Sequence, residues 1–218
     1  MKSALRTETP HPACARRRPL ARVLGALALL LAGCAAPPAV HYHTLLPAER
    51  PVPRDGAKPG AGAAPAFVLD PVDVPAQVDQ PQWLVRLPDD TLALLEQERW
   101  ASPLRDEIHQ VLAEILTRRF GAVETRAVGP DAPFWRVRVA VTRFESMPGE
   151  ARLAATWQLT ARRPESPALR CLSEWREPAA GGMAALAEAH RRALAHLGDA
   201  IGEQLLALQR GEQGSCPP

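Results

Sequence analysis

Between residues 103 and 120 apolar side chains recur every three or four positions: Leu104, Ile108, Val111, Leu112, Ile115, Leu116 and finally Phe120. That spacing lines one face of a helix. Pro103 suits a first helical turn, Ser102 stands where an N-cap belongs, and Gly121 where a C-cap does. A second stripe, Leu186, His190, Leu194, Leu197, Ile201, Leu205 and Leu208, predicts a long helix from Met183 to Gln209. His190 lies inside that stripe and reads as a core or boundary histidine before it reads as a ligand. Between the helices the period changes to two. Trp135, Val137, Val139 and Val141 alternate with Arg136, Arg138 and Thr142 across 134–145. Leu153, Ala155, Trp157 and Leu159 do the same across 151–161, and Cys171, Ser173 and Trp175 across 169–176. Met147-Pro148-Gly149-Glu150 and the run 163–167 are the turns. Short connections and a period of two predict an antiparallel meander with one buried face.

Upstream, Phe67–Val74 reads as a strand ended by Pro75, and Gln82–Leu87 as another closed by Pro88. Thr91–Glu98 is either a third strand, joined to it through Pro88-Asp89-Asp90, or a helix, since Leu92, Leu94 and Leu95 suit both. Val40–Leu46 has β character. The expected class is α+β: an antiparallel β-sheet with two α-helices packed on one face. Residues 47–65 hold five prolines and three glycines, which makes them a flexible tether or a long exposed loop. If Tyr42–Leu46 pairs with the sheet, the loop reading holds and the tether shortens to residues 35–39.

The first residues follow a different logic. Arg16, Arg17, Arg18 and Arg22 precede a nine-residue apolar run, Val23–Leu31. A membrane span needs roughly 20 apolar residues, so this run fits a cleaved export signal. Leu31-Ala32-Gly33-Cys34 follows and is similar to the bacterial lipobox: cleavage between Gly33 and Cys34, then fatty acylation of the Cys34 thiol. Position 35 is Ala rather than Asp, which by the same resemblance directs the protein to the periplasmic face of the outer membrane. The expected organisation is a lipoprotein signal peptide over 1–33, a lipidated N-terminus and tether or loop over 34–65, a domain over 66–210 and a flexible tail over 211–218.

Charge changes sign with this division. The 218-residue chain carries +2, but residues 1–33 hold six of its 26 basic side chains and one of its 24 acidic ones, which leaves the rest at −3. Such a domain offers no electrostatic reason to bind nucleic acid. Of four cysteines, Cys14 leaves with the signal and Cys34 takes lipid. Cys171 and Cys216 either form a disulfide in an oxidising compartment or remain a buried thiol and a free one. The chain contains no G-x-S-x-G, H-E-x-x-H, C-x-x-C or P-loop, so nothing points to an enzyme or a cofactor. His41 and His43 have no nearby cysteine or carboxylate in sequence to complete a metal set, and Asp89-Asp90 reads as turn chemistry.

Three stretches carry a resemblance. Val72-Asp73-Val74-Pro75 followed by Asp79-Gln80-Pro81-Gln82 and an apolar strand ending in Arg86 resembles the V-x-V-P…D-R-P-Q pattern of the PqiC/YmbA-type ABC-transport auxiliary lipoproteins. Arg99-Trp100-Ala101-Ser102-Pro103-Leu104 is similar to that family's R-W-A-E-P-L, and His41-Tyr42-His43-Thr44-Leu45 to its Y-Y-T-L element. Val137–Phe144 sits where the family has a V-x-V-x-x-x-R-F strand. The departures are Gln80 for Arg, Ser102 for Glu and His43 for Tyr. The resemblance implies a non-enzymatic subunit of an envelope machine moving lipid between membranes. Its implied partners are an MCE-domain periplasmic protein, inner-membrane transporter components and copies of itself. A lipoprotein assembly factor or chaperone for another envelope machine is the alternative.

For the motif residues two readings stand side by side. Asp79, Pro81 and Gln82 belong either to a docking loop over 76–82 or to a bracket that fixes strand register. Trp83 is an interface aromatic or a core side chain, and Trp100 a staple at the helix entrance or core filling. Arg99 pairs with a neighbouring acidic group or stands in solvent.

Overall fold

The computed structural model describes residues 38–48, 64–125, 133–162 and 168–217. The signal peptide, the lipobox and the 163–167 turn lie outside these residues. From Ala39 onward the chain is one unit, with eight strands and two helices among the described residues. The strands are β1 (His41–His43), β2 (Ala66–Leu69), β3 (Gln82–Arg86), β4 (Leu92–Trp100), β5 (Val123–Glu124), β6 (Trp135–Met147), β7 (Gly149–Ala161) and β8 (Ala168–Ala179). The helices are α1 (Leu104–Phe120) and α2 (Gly182–Gln209).

The meander β6–β7–β8 is antiparallel, and the β3–β4 hairpin is too, with Leu84 opposite Leu94 and Val85 opposite Ala93. The sheet as a whole is mixed, which corrects the antiparallel expectation. β1 runs parallel to β4, β2 parallel to both β5 and β6, and β3 parallel to β6. For the β2–β5, β2–β6 and β3–β6 pairs the cause is the crossover. Between β2 and β6 the chain passes through α1, and a strand that returns after a helix comes back in the same direction. β2 and β3 share one edge of β6, at its two ends: Phe67 lies beside Trp135, and Val85 beside Ser146. Because β1 joins β4, residues 47–65 connect two strands of a single sheet.

β2 is shorter than the 67–74 run because Pro71 has no amide hydrogen to donate. Asp73 resumes the contact as a single bridge to Ala140. A bulge at Thr142 puts Val141 opposite Ala155 and Arg143 opposite Ala154. Without it, Arg143 would point inward; with it, Phe144 does.

α1 ends as its sequence predicts, with Gly121 left-handed at φ 65° and its N–H on the Leu116 carbonyl. Its start differs. Pro103 holds the N-cap position without a side-chain cap, and the Ser102 hydroxyl donates instead to Glu107 Oε1 at 2.8 Å. Ser102 stands one residue before the N-cap, and its hydroxyl proton goes to the buried carboxylate. α2 packs on α1 through two glycines. A methyl on Gly202 would stand 2.3 Å from the Phe120 ring, and one on Gly198 2.8 Å from Ile115. Both helices cover one sheet face, and the seven stripe residues of α2, His190 included, are buried.

Candidate functional site

The three motif stretches, far apart in sequence, meet at one place. The Trp100 amide donates to the Pro81 carbonyl at 2.8 Å, Gln82 lies opposite Arg99, and the Ala101 amide donates to the His43 carbonyl at 2.8 Å. Their junction encloses an open depression of about 400 Å³, walled by Asp79, Gln80, Pro81, Ala101, Ser102 and Pro103 with Trp100 at its base.

The 76–82 segment is ordered by its own bonds. The Val78 amide donates to the Pro75 carbonyl at 3.0 Å, and the Gln80 side chain donates to the Gln77 carbonyl at 2.9 Å. Val78 plugs the turn into the core while Gln77, Asp79 and Pro81 stay exposed. Asp79 pairs with Arg105 on α1, which ties the turn to the helix. Gln82 donates to Glu96 at 3.4 Å. The Arg99 guanidinium donates to the Glu96 carbonyl at 3.2 Å and pairs with no acidic side chain among the described residues.

Trp83 and Trp100 are core residues, the second of the two readings given for each above. Both are buried, stacked with ring centres 4.0 Å apart, and together they form the floor under the junction. Phe144 meets Trp100 edge-on and stacks on His190 at 3.9 Å. The Trp83 indole donates to Ser146 Oγ at 2.7 Å, and Ser146 Oγ is 2.9 Å from His190 Nε2. This serine and histidine have the spacing of a nucleophile and its base. They are sealed under two aromatic rings, and burial pushes the imidazole down to a pKa of about 3, so the pair is a polar strut between sheet and helix.

Two carboxylates hold the first strand, and sequence reasoning missed both. Glu98 takes hydrogen bonds from His43 Nε2 at 2.5 Å and His41 Nδ1 at 3.0 Å. The bond from His43, and after it that from His41, keeps its carboxyl below the ordinary range. Glu107 is buried. It accepts the Thr44 hydroxyl and the Leu45 amide at 2.7 Å each, besides Ser102. Arg191 of α2 adds a bond to the Thr44 carbonyl at 2.9 Å. Glu107 was legible in principle: Leu104, Glu107, Ile108 and Val111 share the inward face of α1. Among the described residues no group of three metal-binding side chains forms.

A larger hollow of about 610 Å³ lies between the exit of β1 and the two helices, with Leu45, Leu46, Val111 and Ile115 on its floor. Its arginines are engaged: Arg119 with Asp199, Arg191 with Glu188 and Arg192 with Glu177. Cys171 and Cys216 form a disulfide, which joins β8 to the C-terminal tail.

Residues 44–202 match the family described as the ABC-type transport auxiliary lipoprotein component. The chain belongs to this family. Two solved structures share the fold. Protein XCC0632 from Xanthomonas campestris has a TM-score of 0.62 at 16% identity, over 79% of this chain and 98% of its own. An uncharacterized protein has a TM-score of 0.62 at 16% identity, over 77% of this chain and 99% of its own. No curated protein matches the chain. Gln80 and Ser102, two of the three departures noted above, both line this depression. Among the described residues no helix is long and apolar enough to cross a membrane.

Proposed function

We propose that this auxiliary lipoprotein is held on the periplasmic face of the outer membrane by lipid on Cys34. There it serves as a non-catalytic docking subunit of an MCE-type system that moves lipid between the two membranes. The observation that carries the reading is the family match over 44–202 downstream of Leu31-Ala32-Gly33-Cys34. The fold supports it in two ways. Among the described residues the serine and histidine in reach of each other, Ser146 and His190, are closed to substrate, while the motif residues converge on an exposed surface. A surface of that kind, with exposed Gln77, Asp79 and Pro81 over a buried tryptophan pair, suits protein recognition. The docking surface is the 76–82 turn with Arg99, and copies of the chain share the assembly.

A photo-crosslinking amino acid at Gln77 tests this in intact cells. The expected adduct contains an MCE-domain protein, and mass spectrometry of the processed chain shows an acylated Cys34. An outer-membrane barrel or a cell-wall synthase as the dominant adduct would sink the transport reading, and a bare N-terminus would sink the anchor.

A further inference from the structure

Four large apolar side chains stand exposed on neighbouring strands: Val40 at 39%, Tyr42 at 65%, Leu92 at 45% and Leu94 at 41%. They share the sheet face away from the helices. Trp83 points inward opposite Leu95, and alternation along β4 therefore turns Leu94 and Leu92 outward; the irregularity between Leu95 and Arg99 brings Trp100 back to the inner face. His41 and His43 both reach Glu98 on the inner side, which leaves Val40 and Tyr42 on the outer one. The other exposed large apolar residues, Val123 and Leu172, lie on β5 and β8.

The position of this patch along the chain identifies its partner. β1 is parallel to β4, so the backbone reaches His41 from the side of β4 that bears Leu92 and Leu94. Cys34 is six residues before Val40, a distance that extended backbone spans in at most about 20 Å. We infer that the outer face of β1 and β4 lies against the bilayer that holds the Cys34 lipid, as a second, non-covalent membrane contact. The inference rests on the anchoring reading above.

The physical fit is specific. A short tether keeps the patch at high effective concentration over the lipid surface, so weak apolar contacts suffice. Tyrosine favours the membrane–water boundary, and leucines reach just below it. Insertion stays shallow. Among the described residues no strand covers the outer edge of β4 from Leu92 to Gln97, and unpaired backbone groups need water or head groups. Asp89 and Asp90 are exposed in the adjoining turn, so the contact is apolar instead of electrostatic. It persists in high salt and is stronger on phosphatidylcholine than on anionic vesicles.

With Cys34 acylated and Cys171 bonded to Cys216, an introduced thiol is free to label. Leu94→Cys and the control Leu172→Cys are made in the full processed lipoprotein. Each is labelled with an environment-sensitive fluorophore and reconstituted into phosphatidylcholine vesicles. The Leu94→Cys label is expected to shift to the blue, to be quenched by spin-labelled head groups and to show severalfold weaker quenching by iodide than Leu172→Cys. Tyr42→Cys should behave as Leu94→Cys does. Equal iodide access at all three positions in protein that floats with the vesicles overturns the patch and leaves the anchor intact. So does protection that grows with protein density at fixed lipid, because it assigns the patch to a second copy. Protein that fails to float overturns anchor and patch together.

Discussion

The two ends of the described chain are fastened to the same domain by different physics. At the N-terminal end, β1 and the residues after it are held by carboxylates: Glu98 under His41 and His43, and Glu107 under Thr44 and Leu45. At the C-terminal end the tail is held by a covalent bond, Cys171 to Cys216, with help from the Ser215 amide on Gln204 at 2.9 Å and from Gly214 packed on Leu208 and Leu169. A carboxylate clip opens and closes reversibly and answers to protons. A disulfide answers only to electrons. The end that leads toward Cys34 is therefore the adjustable one, and the C-terminal end is locked. Within the tail expected to be flexible, Gly214, Ser215 and Cys216 are each held by these contacts.

The largest effect should come from unlocking the tail. The disulfide closes a loop of 45 residues, and its loss through Cys216→Ser should lower stability to urea by up to about 4 kcal/mol on the chain-entropy account. The variant should also lose the sensitivity to reductant that the unaltered protein shows. If stability is unchanged, the C-terminal fastening contributes nothing and the contrast between the ends fails.

The core between the ends sets the baseline. Burial lowers the His190 pKa from 6.5 to about 3. The unfolded chain takes up this proton below pH 6.5 and the folded one does not, so stability is full above 6.5 and drains away as pH falls toward 3. The loss by pH 4 is on the order of 3 kcal/mol. His190→Gln keeps an acceptor for Ser146 and should flatten this slope in pH-dependent unfolding; an unchanged slope would place the titration elsewhere.

Next comes the buried half of the N-terminal clip. Glu107→Gln sets an amide donor among three donors and should cost about 2 kcal/mol. The decisive readout is hydrogen exchange at the Leu45 amide, which should speed up while Gly121 and the rest of the C-terminal end of α1 keep their protection. Uniform acceleration would mean that Glu107 stabilises α1 and not the strand. Smallest is the exposed half. The folded pKa of Glu98 lies below its ordinary 4.5 because His43 and then His41 donate to it. Its stabilisation is present above that value and is lost as pH falls through the folded pKa, by under about 1 kcal/mol. Glu98→Gln should remove only this lower window, read as amide exchange in β1.

Much of the fold was legible because it is encoded locally. Gly121 announces the end of α1, and the period-two runs announce β6, β7 and β8 with the correct faces. The stripe from Leu186 to Leu208 marks α2 and already contains His190. Pairing between distant strands was not legible. Nothing near Phe67 states that it will lie parallel to Trp135, because that register is set by how α1 packs. The Thr142 bulge was hidden too, since it matters only through the partner Ala154–Ala155. The motif stretches come together at one depression, and burial divides their residues: Asp79 and Pro81 are exposed there, Gln82 and Arg99 are half-buried beside it, and Trp83 and Trp100 lie beneath. Glu107 went unnoticed because an acid in a first helical turn is ordinarily a solvated residue facing the helix dipole. Only the approach of Thr44 and Leu45 shows otherwise.

The parallel alignment of β1 with β4 has a mechanical consequence. Tension drawn along the strand from Ala39 loads the rungs at His41, Tyr42 and His43 at once, together with the grip on Thr44 and Leu45. An antiparallel hairpin strand pulled from its free tip would instead peel open one rung at a time. The polypeptide that emerges toward Cys34 is thus fixed in a shear geometry. A tug from that side is shared among all its bonds before it can pry any one of them loose.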